Sequence, residues 1–204
     1  MKPEKKILLT YITFFILFLI LIIFPSADLY LVSKIQEIRN PTLDTVMLWI
    51  TNIGSGLIIF FIISTLFLYE ERKRRWILPL WLGFLLSSLI VYLLKSSISR
   101  PRPFLELGIP AESDSPNSSF PSGHTTMAFA ALPVIDKEFR KIKLFWIIFA
   151  VLVGFSRFYL AVHHISDVIF GAMLGYTLSL IFVKLEEKKV FSNFLSKFKK
   201  QVRK

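Results

Sequence analysis

Residues 77–94 read ILPLWLGFLLSSLIVYLL, an uncharged run set between the basic block Arg72-Lys73-Arg74-Arg75 and Lys95. A bilayer core of roughly 30 Å takes about 20 such residues as a helix. A soluble domain of this length can bury its core without runs of this kind, so the stretch sets the class. The chain is expected to be all-α and polytopic in a membrane. Similar runs lie on either side, at Ile7–Phe24 and Leu144–Phe155, in a chain that is 54% hydrophobic with 21 Phe.

Working outward, hydropathy predicts a six-transmembrane-helix bundle, with spans at about 7–24, 45–69, 76–95, 122–135, 144–161 and 164–184. One domain over 1–204 is the economical count. Three spans carry polar residues: His124 and Pro133 in the fourth, Arg157 in the fifth, Asp167 in the sixth. The stretch Leu43–Tyr69 exceeds one crossing and holds Asp44 and Asn52 early, which predicts a tilted or partly interfacial helix. Residues 27–40 alternate apolar and charged positions at helical spacing and end at Pro41, as a helix lying on the outer surface would. The N-terminal lysines and the run after them resemble a secretory signal. That run is longer than the about 7–15 residues of a signal core, and Pro25-Ser26-Ala27 is a poor cleavage site, so a retained first helix is expected.

The net charge of +11 falls in short clusters between apolar runs. That distribution fits loops facing anionic lipid and argues against a nucleic-acid partner. With the N-terminus inside, the inner side receives Lys2, Lys5, Lys6, Arg72 to Arg75, Lys137, Arg140, Lys141, Lys143, Lys184 and the lysines and arginine of the tail, 19 of the 25 Lys and Arg. The outer side keeps Lys34, Arg39, Lys95, Arg100, Arg102 and Arg157. This bias predicts a protein of the cell membrane with both termini cytoplasmic. The basic tail, 186–204, places Phe191, Phe194, Leu195, Phe198 and Val202 on one helical face among lysines. It reads equally as a helix on inner-leaflet lipid or as a solvated end. There are no cysteines, which excludes disulfides and thiolate metal sites. Oligomeric state leaves no mark in the sequence.

The outer side is poor in cations, yet four of its six sit at or near helix ends: Lys95, Arg100, Arg102 and Arg157. A basic residue at a helix end ordinarily snorkels to the interface. The alternative is that these cations face a polar cavity in the bundle. All three histidines, His124, His163 and His164, also fall at the outer ends of spans. Asp167 follows His163 by four residues, one helical turn, where a carboxylate can orient an imidazole. Pro121-Ser122-Gly123-His124 opens the fourth span, and a helix N-terminus with free N–H groups attracts anions. Cations, two helix N-termini and two histidines at similar depth suit a phosphate. No cluster of Asp and Glu is present to hold Mg²⁺, so neither metal nor cofactor is expected.

These residues fall into three ordered signatures: Lys95, six residues, Arg102-Pro103; then Pro121-Ser122-Gly123-His124; then Ser156-Arg157, five residues, His163, three residues, Asp167. In this the chain resembles the type 2 phosphatidic acid phosphatase family, with no departure at the key positions between 95 and 167. The resemblance implies that His163 is the nucleophile, forming a phosphohistidine. It implies that Asp167 orients His163 and that His124 is the general acid and then the base. Lys95, Arg102 and Arg157, with Ser122 and Gly123, would bind the phosphate. It implies a lipid phosphatase of the outer face acting on a lipid phosphate or pyrophosphate. Bacterial proteins of this kind include phosphatidylglycerophosphate and undecaprenyl pyrophosphate phosphatases. A transporter or channel would also explain buried charges, though neither PSGH at a helix start nor the His163–Asp167 pair. A non-catalytic lipid-binding relative is the other alternative, and the intact signatures argue against it. Arg100 and His164 match no signature position; Arg100 is read as facing headgroup or substrate, His164 as an interfacial helix-start residue.

Overall fold

In this computed structural model, which describes residues 3–70, 73–110 and 118–194, the regular structure is helical throughout. The helices are α1 (Pro3–Ile23), α2 (Pro25–Gln36), α3 (Pro41–Ser55), α4 (Leu57–Glu70), α5 (Ile77–Ser97), α6 (Pro103–Glu106), α7 (Gly123–Ala130), α8 (Leu132–Glu138), α9 (Lys143–Tyr159) and α10 (Ile165–Glu187). Short 3-10 turns at Arg74–Trp76 and Arg140–Ile142 lead into α5 and α9.

Among the described residues, Arg74–Ser97, Arg140–Tyr159 and Ile165–Glu187 are each long and apolar enough to cross a membrane; the α1–α2 pair, bent by 102°, adds a fourth if counted as one span. The bend falls at Pro25, which takes the first position of α2 because it lacks the N–H an interior position requires. The surface helix expected over 27–40 is α2, beginning at Pro25 and ending at Gln36. Two expected spans are not single helices. The stretch 45–69 divides at Gly56 into α3 and α4, and α3 starts earlier, at Pro41, where Asn40 Oδ1 accepts from the Leu43 N–H at 3.0 Å. The stretch 122–135 divides at Ala131, and Pro133 lies in the first turn of α8. The basic tail is described only to residue 194; its amphipathic face over Leu195, Phe198 and Val202 lies outside the described residues.

α10 is the central helix, packed against α7, α5 and α1, and α7 is enclosed by α5, α9 and α10. Two glycines set the α7–α10 approach: a Cβ on Gly175 would meet the Thr126 carbonyl oxygen at 2.0 Å, and one on Gly171 the Ser122 carbonyl oxygen at 2.7 Å. Backbones that close need small residues, as in other helix pairs packed in lipid. The buried core gathers Phe61, Leu80, Phe84, Ala128, Trp146 and Val153. Phe14, Ile16, Leu89, Phe145 and Ile148 point outward as a belt of large apolar side chains. A soluble protein does not expose such a surface, whereas one immersed in lipid does.

Candidate active site

The C-terminal ends of α5 and α9, the N-terminal ends of α7 and α10, and α6 meet at one end of the bundle. Lys95, in the last turn of α5, donates from Nζ to the Ser118 carbonyl at 2.5 Å and lies within electrostatic reach of Arg102, Arg157 and Asp167. Arg102 caps α6, is buried, and donates from Nη1 to the Val162 carbonyl at 3.0 Å. The Phe104 N–H reaches the Ala161 carbonyl at 2.9 Å, so the first signature is clasped to the loop joining α9 to α10. Within that loop Ala161 has φ of 51°, a left-handed conformation that costs an L-residue about 1–2 kcal/mol. Buried surroundings hold it there, two residues from His163.

Arg157, in the last turn of α9, is buried and donates from Nη1 to Thr51 Oγ1 of α3, whose hydroxyl also lies 3.0 Å from Ser156 Oγ. Its Nε is buried without a hydrogen-bond partner among the described residues. An orphaned guanidinium N–H is costly unless an anionic oxygen meets it. His124 is the second residue of α7, within electrostatic reach of Arg157, Lys95 and Arg102. It lies beside Gly54, where an added Cβ would stand 3.6 Å from its ring.

His163 is buried in the α9–α10 loop, its N–H on the Arg157 carbonyl at 3.2 Å. Its Nδ1 is 3.6 Å from Asp167 Oδ2, close enough for charge attraction but beyond a hydrogen bond, and it has no hydrogen-bond partner among the described residues. Burial pushes this imidazole below its ordinary pKa, with the Asp167 carboxylate opposing, which keeps the ring neutral at pH 7. Asp167 is fully buried: Oδ2 accepts the His164 N–H at 2.9 Å and Oδ1 the Arg100 guanidinium at 2.6 Å. Its carbonyl accepts the Ser122 N–H at 3.2 Å.

The signature residues are therefore brought together, but some local expectations differ. The N-terminus of α10 is not an open anion site. Its first amides are taken by Asp28 of α2, which accepts from the Ile165 N–H at 2.9 Å and the Ser166 N–H at 3.3 Å, while Asp167 takes that of His164. That leaves the start of α7 as the helix end facing the cluster. Ser122 is buried there with its N–H on the Asp167 carbonyl and its hydroxyl 2.9 Å from Thr125 Oγ1, a pair in which either oxygen can donate. Gly123 is the first residue of α7. Arg100, mostly buried, bridges Asp28 and Asp167. His164 caps α10, buried, with Nε2 3.1 Å from Glu106. Sequence reasoning missed Asp28 and Thr51. The one signal for Asp28 was its place one turn before Val32 on the face of α2 that is buried. Among the described residues no three His, Asp and Glu are grouped to hold a metal ion.

A sequence model described as the PAP2 superfamily matches residues 76–191. Phosphatidylglycerophosphatase B of Bacillus subtilis is 33% identical, over 80% of this chain and 85% of its own. Undecaprenyl-diphosphatase BcrC of the same organism is 28% identical, over 73% and 78% respectively. Among solved structures, the transmembrane PAP2 type phosphatidylglycerolphosphate phosphatase of Bacillus subtilis superposes with a TM-score of 0.73 at 32% identity, covering 88% of this chain and 96% of that one. Aquifex aeolicus LpxE superposes with a TM-score of 0.63 at 33% identity, covering 76% and 94%. Family match, fold and clustered signatures agree: this chain belongs to the PAP2 superfamily.

Proposed function

We propose that this membrane phosphatase hydrolyses a lipid phosphate or pyrophosphate at the outer face of the cell membrane, through a phosphohistidine and without a metal ion. Phosphatidylglycerophosphate and undecaprenyl pyrophosphate are the leading substrates, on the names of its relatives. The observation that carries the reading is the gathering of Lys95, Arg102 and Arg157 around two histidines, with Arg157 Nε lacking a partner among the described residues. Three cations in a desolvated hollow supply the charge stabilisation that a metal provides elsewhere.

In this reading the phosphoryl oxygens lie against Lys95, Arg102 and Arg157, with Ser122 and Gly123 donating as well. The neutral His163 ring attacks phosphorus with a nitrogen lone pair. The bond to the leaving oxygen breaks, its electron pair stays on that oxygen, and His124 gives it a proton. Water then attacks the phosphohistidine and passes a proton to His124, the P–N bond breaks, and inorganic phosphate leaves. Positioned proton transfer of this kind contributes about 10²–10⁴-fold. Asp167 stabilises the charge that develops on His163. Six crossings follow if α3–α4 and α7–α8 each count as one. Residues 1–204 then form one domain, both termini cytoplasmic, whose substrate keeps its apolar tail in lipid.

Purified protein assayed for phosphate release from phosphatidylglycerophosphate, undecaprenyl pyrophosphate and phosphatidic acid tests this directly. His163→Ala is expected to abolish release while leaving the melting temperature in detergent near that of the parent, and EDTA to leave the rate unchanged. Turnover by His163→Ala, or loss with EDTA that Mg²⁺ restores, contradicts the proposal.

A further inference from the structure

Asp28 is fully buried although it belongs to α2, outside all three signatures. Its carboxylate accepts from the Ile165 N–H, from the N–H and hydroxyl of Ser166, and from Arg100 Nη2 at 3.1 Å. Arg100 in turn donates from Nη1 to Ser166 Oγ at 2.7 Å and to Asp167 Oδ1 at 2.6 Å. Two buried carboxylates thus share one guanidinium at the first turn of α10. A buried acid without such a partner is destabilising, so each of the three charges depends on the other two. The N-terminal amides of α10 complete the arrangement by favouring negative charge. A second tie, from Gln36 Nε2 to the Tyr159 carbonyl at 3.2 Å, fixes the other end of α2 to the end of α9. α2 therefore braces both ends of the loop that carries His163.

We propose that Asp28 and Arg100 are positioning residues, holding the first turn of α10, and with it Asp167, in the register that presents His163. The inference rests on reading His163 as the nucleophile. The charged groups facing His163 are Asp167 from α10, Arg157 from α9 and Lys95 from α5; Asp167 also meets Arg100 and His164, and His164 meets Glu106. Removing either member of the pair changes how much of the Asp167 charge His163 feels, and in opposite senses. Arg100→Gln frees the Asp167 carboxylate from its cation, which favours the imidazolium. Asp28→Asn leaves the Arg100 charge undivided on Asp167, which disfavours it.

The test measures kcat, KM and the pH–rate profile of the purified full chain on a short-chain lipid phosphate. Both variants are expected to lower kcat about tenfold or more with KM within about threefold. The acid limb of the profile moves to higher pH in Arg100→Gln and to lower pH in Asp28→Asn. The double variant is expected to be no worse than the poorer single variant within about threefold, because the two act as one unit. A folded Asp28→Asn and Arg100→Gln pair with parental kcat, or acid limbs that both move the same way, overturns the proposal. Should Asp28→Asn fail to fold, Arg100→Lys decides: lower kcat with an unmoved limb supports positioning, and parental kcat refutes it. Turnover by His163→Ala sinks the functional reading itself, whereas an inactive His163→Ala beside unaffected Asp28→Asn and Arg100→Gln sinks only the positioning role.

Discussion

At the scale of single residues the site depends on backbone held where it would not otherwise rest. Ala161 has a positive φ, is buried, and lies between Arg157 and His163. A β-branched side chain in that conformation is a genuine outlier. Ala161→Val is therefore expected to lower stability by at least about 2 kcal/mol and to lower kcat, read by melting in detergent and by phosphate release. Ala161→Gly gains about 1 kcal/mol of relieved strain and loses a similar amount to unfolded-state entropy, so it should lie near the parent. The clustering of the signature residues was legible because they recur at short local spacings: Lys95 to Arg102, Ser122 to His124, Arg157 to Asp167. The partners that steady them were not. Asp28 meets Ile165 across 137 positions, and Thr51 meets Arg157 across 106, separations that no periodicity within one helix encodes.

At the scale of elements, hydropathy located the apolar stretches but not their breaks. Three long spans match closely: α5, α9 and α10 start and end within a few residues of expectation. The spans that divide do so at Gly56 and Ala131, and neither interruption removes enough apolar character for a hydropathy window to register it. The consequence of the second break is functional geometry. α7 is short, begins at Gly123, and is pressed against α10 at Gly171 and Gly175. Gly175→Ala puts a Cβ 2.0 Å from the Thr126 carbonyl oxygen, so α7 must shift and carry His124 with it. Overpacking of this kind costs about 1–3 kcal/mol. The expected result is a lower melting temperature and a kcat reduced more than KM is raised. Parental kinetics in Gly175→Ala would show that the α7–α10 contact does not set the position of His124.

At the scale of the whole molecule, charge distribution makes the remaining prediction. A reporter fused after Glu112 is expected outside the cell and one after Arg74 inside, as judged by alkaline phosphatase and fluorescent fusions; the reverse result overturns the orientation. The positive-inside bias that supports this was readable because it sums over many residues and needs no contact. The bond between Asp28 and the start of α10 has a bearing on biogenesis. Asp28 emerges from the ribosome long before Ile165 and Ser166, so its carboxylate has no amides to cap until α10 is threaded into the bilayer. A nascent chain lacking that helix also lacks Asp167. Hydrolytic competence should then arrive all at once, when α10 is inserted.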